Sequence, residues 1–170
     1  MALGAGQAAA SSCEVWVGFE DRSITLWEGK TGTLTVKADF KGPIADGYAL
    51  RLNVKTDAKP YRNGWPIGSD GGAGADDYMA ISQELILSEG ADSADIIVEA
   101  YEDDEKEDIE RFYVNLTVHS DHINSEGSHR TREEACANPA VYFHSYGFFA
   151  TVHLRDGPGF TNHWLYGSGG

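Results

Sequence analysis

The chain has 170 residues, 41% of them hydrophobic, with a formal net charge of −14 at neutral pH and a pI near 4.6. That length supports one ordinary core and is short for two. The carboxylate excess repels phosphate backbones and anionic membrane surfaces while concentrating cations, so nucleic acid is not an expected partner. No apolar run approaches the ~20 residues that a membrane-spanning helix needs, so membrane insertion is not expected either.

Residues 1–12 are rich in Ala, Gly and Ser and lack the basic start and apolar run of a secretory leader. They are expected to form a flexible or docking arm ahead of a domain spanning 13–156. From there the dominant signal is alternation of apolar and polar residues with period two, and no long segment holds a helical period. Val15, Val17 and Phe19 share one face of the first expected strand, and a short strand at Ser23 to Trp27 follows the turn at Asp21 and Arg22. Leu34, Val36, Ala38 and Phe40 form the apolar face of the next, then Tyr48, Leu50, Leu52 and Val54. Asp57 to Asp77 is rich in Gly and Pro and reads as a long excursion.

Strand character returns at Ile81 to Leu87 and at Ala94 to Ala100. The chain then reaches Glu102 to Glu110, seven carboxylates in nine residues. Phe112, Val114, Leu116 and Val118 define the strand beyond it, a second excursion runs from His119 to about Ala140, and Phe148, Ala150, Val152 and Leu154 mark the last strand. About seven strands, each with one apolar face, are best satisfied by an all-β, immunoglobulin-like antiparallel sandwich with two long loop excursions. The tail at 157–170 holds Phe160, Trp164, Leu165 and Tyr166 and is expected to dock on a neighbouring module or copy.

Carboxylates packed as closely as those of Glu102 to Glu110 repel one another, so they must be solvated or share a cation. On charge alone, a solvated edge that limits aggregation is the stronger expectation. Cys13 and Cys136 match no metal-ligand spacing, and a disulfide and two separate buried thiols stay equally open. His119, His122 and His129 could approach a zinc ion, but without a supporting Cys pair they read as exposed loop histidines. Asn115-Leu116-Thr117 matches a glycosylation acceptor, although it falls within an expected strand. The aromatics Trp16, Tyr61, Trp65, Trp164 and Tyr166 suggest a sugar-binding or docking surface less strongly than ordinary packing. Neither a carboxylate pair across a cleft nor a nucleophile elbow is visible, so no enzyme active site is expected.

Five pieces in order carry a resemblance: Phe19-Glu20, Glu28-Gly29, the Ala73 to Tyr78 turn (Ala-Gly-Ala-Asp-Asp-Tyr), the strand, acidic loop and strand unit at Ile96 to Leu116, and the closing Ala150 to Asp156. Together they span roughly 15–156, and the chain resembles the Calx-beta family. The resemblance implies a β-sandwich that binds Ca²⁺ with loops at one end. Matched by position, it implies Glu20, Asp77, Asp103, Glu107 and Asp156 as ligands, with Glu102, Asp104 and Glu110 as additions. Ca²⁺ takes ~6 to 8 oxygens in irregular geometry, which suits carboxylates from distant loops. Family members with several ions usually close on a run of Asp, whereas this chain has Asp156-Gly157-Pro158, which implies a reduced ligand set. The expectation is a noncatalytic calcium-binding module of an extracellular or cell-surface assembly, partnered by calcium ions and by other protein modules or its own copies. The competing expectation is a metal-independent structural subunit assembled through its termini.

Overall fold

A computed structural model of the chain describes residues 13–62, 64–122, 131–145 and 147–157. The strands in chain order are β1 (Glu14–Phe19), β2 (Ser23–Trp27), β3 (Thr31–Lys41), β4 (Leu50–Asp57), β5 (Tyr61–Arg62), β6 (Trp65–Pro66), β7 (Ser82–Leu87), β8 (Ser93–Glu99) and β9 (Glu110–Val118). A 3₁₀ turn (Ser120–His122) and a six-residue helix α1 (Arg132–Ala137) precede β10 (Ala140–Phe143) and β11 (Phe149–Arg155). The strands form one sheet in the order β10-β1-β3-β8, a second in the order β2-β11-β9-β4-β7, and a small β5-β6 ribbon. The expected all-β sandwich is thus observed.

The period-two pattern explains the layers. Val15 and Val17, Leu34 and Val36, and Ile96 and Val98 project inward from one sheet. Leu50, Leu52 and Val54, Phe112, Val114 and Leu116, and Ala150 and Val152 meet them from the other. All are at most 1% exposed, so the inner faces form one dry core. Burial of such side chains contributes about 1.5–3 kcal/mol each before the entropic cost of ordering the chain.

Three details differ from the sequence expectations or settle what they left open. Ala140–Phe143, which begins where the second excursion was expected to end and was assigned to no element, is a strand paired in parallel with β1, with Glu14 opposite Ala140. Within the same excursion α1 is capped by Thr131, whose hydroxyl accepts from the Glu134 amide. Cys13 and Cys136 form a disulfide with Cα atoms 4.9 Å apart, tying the start of β1 to α1.

The excursion between β4 and β7 is anchored on β9. Asn115 is only 5% exposed; its Nδ2 donates to the Lys59 carbonyl and its Oδ1 accepts from the Tyr61 amide. The acceptor triplet therefore uses its asparagine to hold a loop, and no glycan fits on that amide. Gly71 lies against β9 so closely that a Cβ would collide with the Arg111 carbonyl oxygen, and the Arg111 amide donates to the Gly71 carbonyl at 2.8 Å. His122 accepts the Arg51 amide through Nε2, and His119 accepts the Asp121 amide through Nδ1. His129, the arm at 1–12 and the tail from Pro158 lie outside the described residues.

Candidate metal centre

One end of the sandwich collects strand ends from both sheets. β2 runs parallel to β11 with Trp27 opposite Arg155, so Glu28 and Asp156 leave the sheet side by side, and the Glu28 amide donates to the Arg155 carbonyl at 3.0 Å. The chain after β8 is held at the same end, since the Gly29 amide donates to Ala100 and the Ala100 amide to Lys30. Gly29 permits this turn with φ +71°, a left-handed conformation that a side chain would strain. Asp77 arrives from the excursion. Its neighbour Tyr78 stacks on the core ring of Phe112 with centroids 3.9 Å apart, and its own carbonyl accepts from the Tyr101 amide at 2.9 Å.

These constraints bring carboxylates into two groups. Glu28, Asp103 and Glu107 each offer an oxygen within 4.8 Å of the others, and Asp77, Glu107 and Glu110 do the same. Glu107 belongs to both. Asp156 stands beside them: its Oδ1 accepts the Glu107 amide at 3.2 Å, and its charge acts on Glu28. Within the acidic loop, Asp103 Oδ1 accepts the Glu105 amide at 2.8 Å, a local turn that fixes the carboxylate.

The electrostatics follow from crowding and partial loss of water. Desolvation, reinforced by Asp103, Asp156 and Glu107, pushes the Glu28 carboxyl up to about 7. Desolvation together with Glu107 and Asp77 raises Glu110 to about 7 as well. Glu107 is raised by the same causes, withdrawal from water first and then Asp77, Asp103 and Glu105. Oε2 of Glu28 and Oε2 of Glu110 are both shut off from solvent without a hydrogen-bond donor. Leaving such an atom unpaired costs about 1–3 kcal/mol. A hard divalent cation answers this need, because it takes several carboxylate oxygens in flexible geometry.

Of the residues expected from sequence, the structure brings together Asp77, Asp103, Glu107 and Glu110 and sets Asp156 against them. Glu102 and Asp104 are exposed on the acidic loop outside both groups, Glu102 lying over Gly29. Glu20 is exposed at the junction of β1 and β2, where its amide donates to the Thr35 carbonyl at 2.9 Å, and it enters neither group. Glu28 was not among the expected ligands. Its signal was present, since a carboxylate directly follows a short strand and precedes a glycine. Only the parallel pairing of β2 with β11 shows that this strand points at the acidic end.

Fold and donor set together define a two-sheet β-sandwich with a multi-carboxylate centre among its end loops. Solved structures share the fold. A Calx CBD2 domain superposes with a TM-score of 0.59 at 13% identity, over 84% of this chain and 87% of that one. The apo-form Calx CBD1 domain gives 0.56 at 19% identity, over 84% and 97%. The calcium binding domain CBD12 of CALX1.1 gives 0.51 at 17% identity over 84% of this chain, which spans 44% of that longer one. No protein-family model matches the sequence, and no curated protein matches it.

Proposed function

We propose that this chain is a noncatalytic calcium-binding β-sandwich module, with Glu107 shared by two neighbouring ion positions. Glu28 and Asp103, with Asp156 alongside, hold one position, and Asp77 and Glu110 hold the other. What carries this reading is the pair of carboxylate groups that converge on Glu107 with two buried, partnerless oxygens among them. The fold shared with a structure described as a calcium binding domain supports it. Binding lowers the repulsion between the loops and stabilises the folded chain by mass action. Calorimetric titration of the chelator-treated protein tests the reading. Binding heat with Ca²⁺ and a raised melting temperature are expected, with a weaker response to Mg²⁺, which demands near-octahedral geometry. No heat and no thermal shift at millimolar Ca²⁺ would overturn it.

The module serves a structural or adhesive role in an extracellular or surface assembly. The Cys13–Cys136 disulfide supports an oxidising compartment, and exposed apolar side chains such as Ile86 and Ile97 offer contact area for a neighbouring module or copy. Size-exclusion chromatography with and without Ca²⁺ measures whether the ion governs association. An unchanged elution volume at every protein concentration and with each candidate neighbour would reject the assembly role.

A further inference from the structure

A concave site lies away from the acidic end, on the outer face of the five-stranded sheet. Its volume is about 550 Å³, inside the range of ~300–1,000 Å³ typical of ligand sites. Strand register builds its floor as two polar rungs. Ser82, Lys55 and Asn115 lie opposite one another across β7, β4 and β9, and Glu84, Asn53 and Thr117 form the neighbouring rung. Tyr61 and Gly64 of the β5-β6 ribbon wall the groove. The two hydrogen bonds of buried Asn115 to Lys59 and Tyr61 fix that wall to the floor. Glu84 is held by Arg51 at 3.0 Å, which orients its carboxylate on the sheet.

We propose that this groove binds a short neutral oligosaccharide. A sugar presents neighbouring hydroxyls that each donate and accept, and a C–H face that packs on an aromatic ring. The floor supplies the Asn53 amide, the Lys55 ammonium, the Ser82 and Thr117 hydroxyls and the Glu84 carboxylate at fixed cross-strand spacing of ~4.5–5.5 Å. The Tyr61 side chain supplies an aromatic wall with a polar tip. A fully apolar ligand would leave these polar groups without partners. The net charge of −14 disfavours a polyanionic glycan or nucleic acid. A peptide added as a strand would need a free sheet edge, whereas most of this floor is the side-chain face of β4 and β9, which are paired on both sides.

The test uses the isotope-labelled full chain in EDTA, so that its outcome is independent of calcium binding. Maltohexaose, cellohexaose, mannohexaose and chitohexaose are titrated to on the order of 10 mM while amide resonances are followed. At least one is expected to shift Asn53, Lys55 and Thr117 saturably. Asn53→Ala, at an exposed position, is expected to weaken that binding about tenfold, the loss of one to two hydrogen bonds, with an unchanged melting temperature. Tyr61→Ala provides a second variant that removes the wall. The proposal is overturned by an unresponsive panel, by shifts indifferent to both variants, or by tighter binding of a heparin-derived hexasaccharide.

Discussion

Glu107 is the carboxylate common to both acidic groups, while Glu20 belongs to neither, and this contrast gives the sharpest test at the residue scale. Glu107→Gln keeps the shape and removes a shared charged ligand. It is expected to weaken Ca²⁺ binding by at least about a hundredfold, roughly 2.7 kcal/mol, in calorimetric titration. Glu20→Gln is expected to leave the titration unchanged, and a loss there equal to that of Glu107→Gln would reassign the centre. Protonation gives a second test without metal. Glu28 and Glu110 rise from 4.5 to about 7 in the folded chain, so the folded state binds protons more tightly than the unfolded one at these sites. Their stabilising contribution is complete below about pH 4.5 and fades as pH climbs through about 7. In EDTA, the melting temperature is expected to carry a component that falls over this window. Glu110→Gln should flatten that component, and an unaltered profile in scanning calorimetry would show that Glu110 does not titrate there.

At the scale of elements, the disulfide and the short helix hold the second excursion to β1. Cys13 and Cys136 are 123 residues apart, and on the loop-entropy model a link of that span contributes about 3–5 kcal/mol. The double Cys→Ser chain is expected to lose stability of that order in urea titration, with the acidic end intact because it lies at the far ends of β2, β8 and β11. A calcium affinity lost together with the disulfide would contradict that independence. The elements themselves were unequally readable. β1, β3, β4, β7, β8, β9 and β11 showed themselves through the alternation of seven apolar faces, and β2 as a short run. β10 has only four residues, none fully buried and Tyr142 exposed, so period two had nothing to act on. Likewise α1 has six residues, too few for a 3.6-residue period to emerge, and its cap at Thr131 was the only local cue.

For the whole molecule, the proposed ion centre would tie binding to stability. Both sheets and the long excursion contribute carboxylates to it, so a bound ion links elements that otherwise repel. At Ca²⁺ a hundredfold above the dissociation constant, the fold is expected to gain about 2.7 kcal/mol from the first ion bound. Thermal unfolding across a calcium series measures this gain. The core sets the opposite limit: Phe112, fully buried beneath Tyr78, supports both the sandwich and the placement of Asp77. Phe112→Ala is expected to cost about 3–5 kcal/mol and to weaken calcium binding in whatever fraction remains folded. Retained affinity in that folded fraction would separate packing from site geometry.

The amino-acid sequence by itself determined the sandwich, because alternation every second residue dictates which face of each strand must leave water. It also located the acidic loop, because seven carboxylates in nine residues need no fold to be noticed. Only the tertiary structure decided which other carboxylates meet that loop. Strand pairing, which joins residues far apart in the chain, brought Glu28 beside Asp156 and set Glu20 apart. The same long-range pairing turned Asn115 from an apparent acceptor of glycans into an anchor for a loop, and aligned two polar rungs into a groove. Periodicity is local and so can be read along the chain. Convergence depends on register between distant strands, which burial of the whole core fixes.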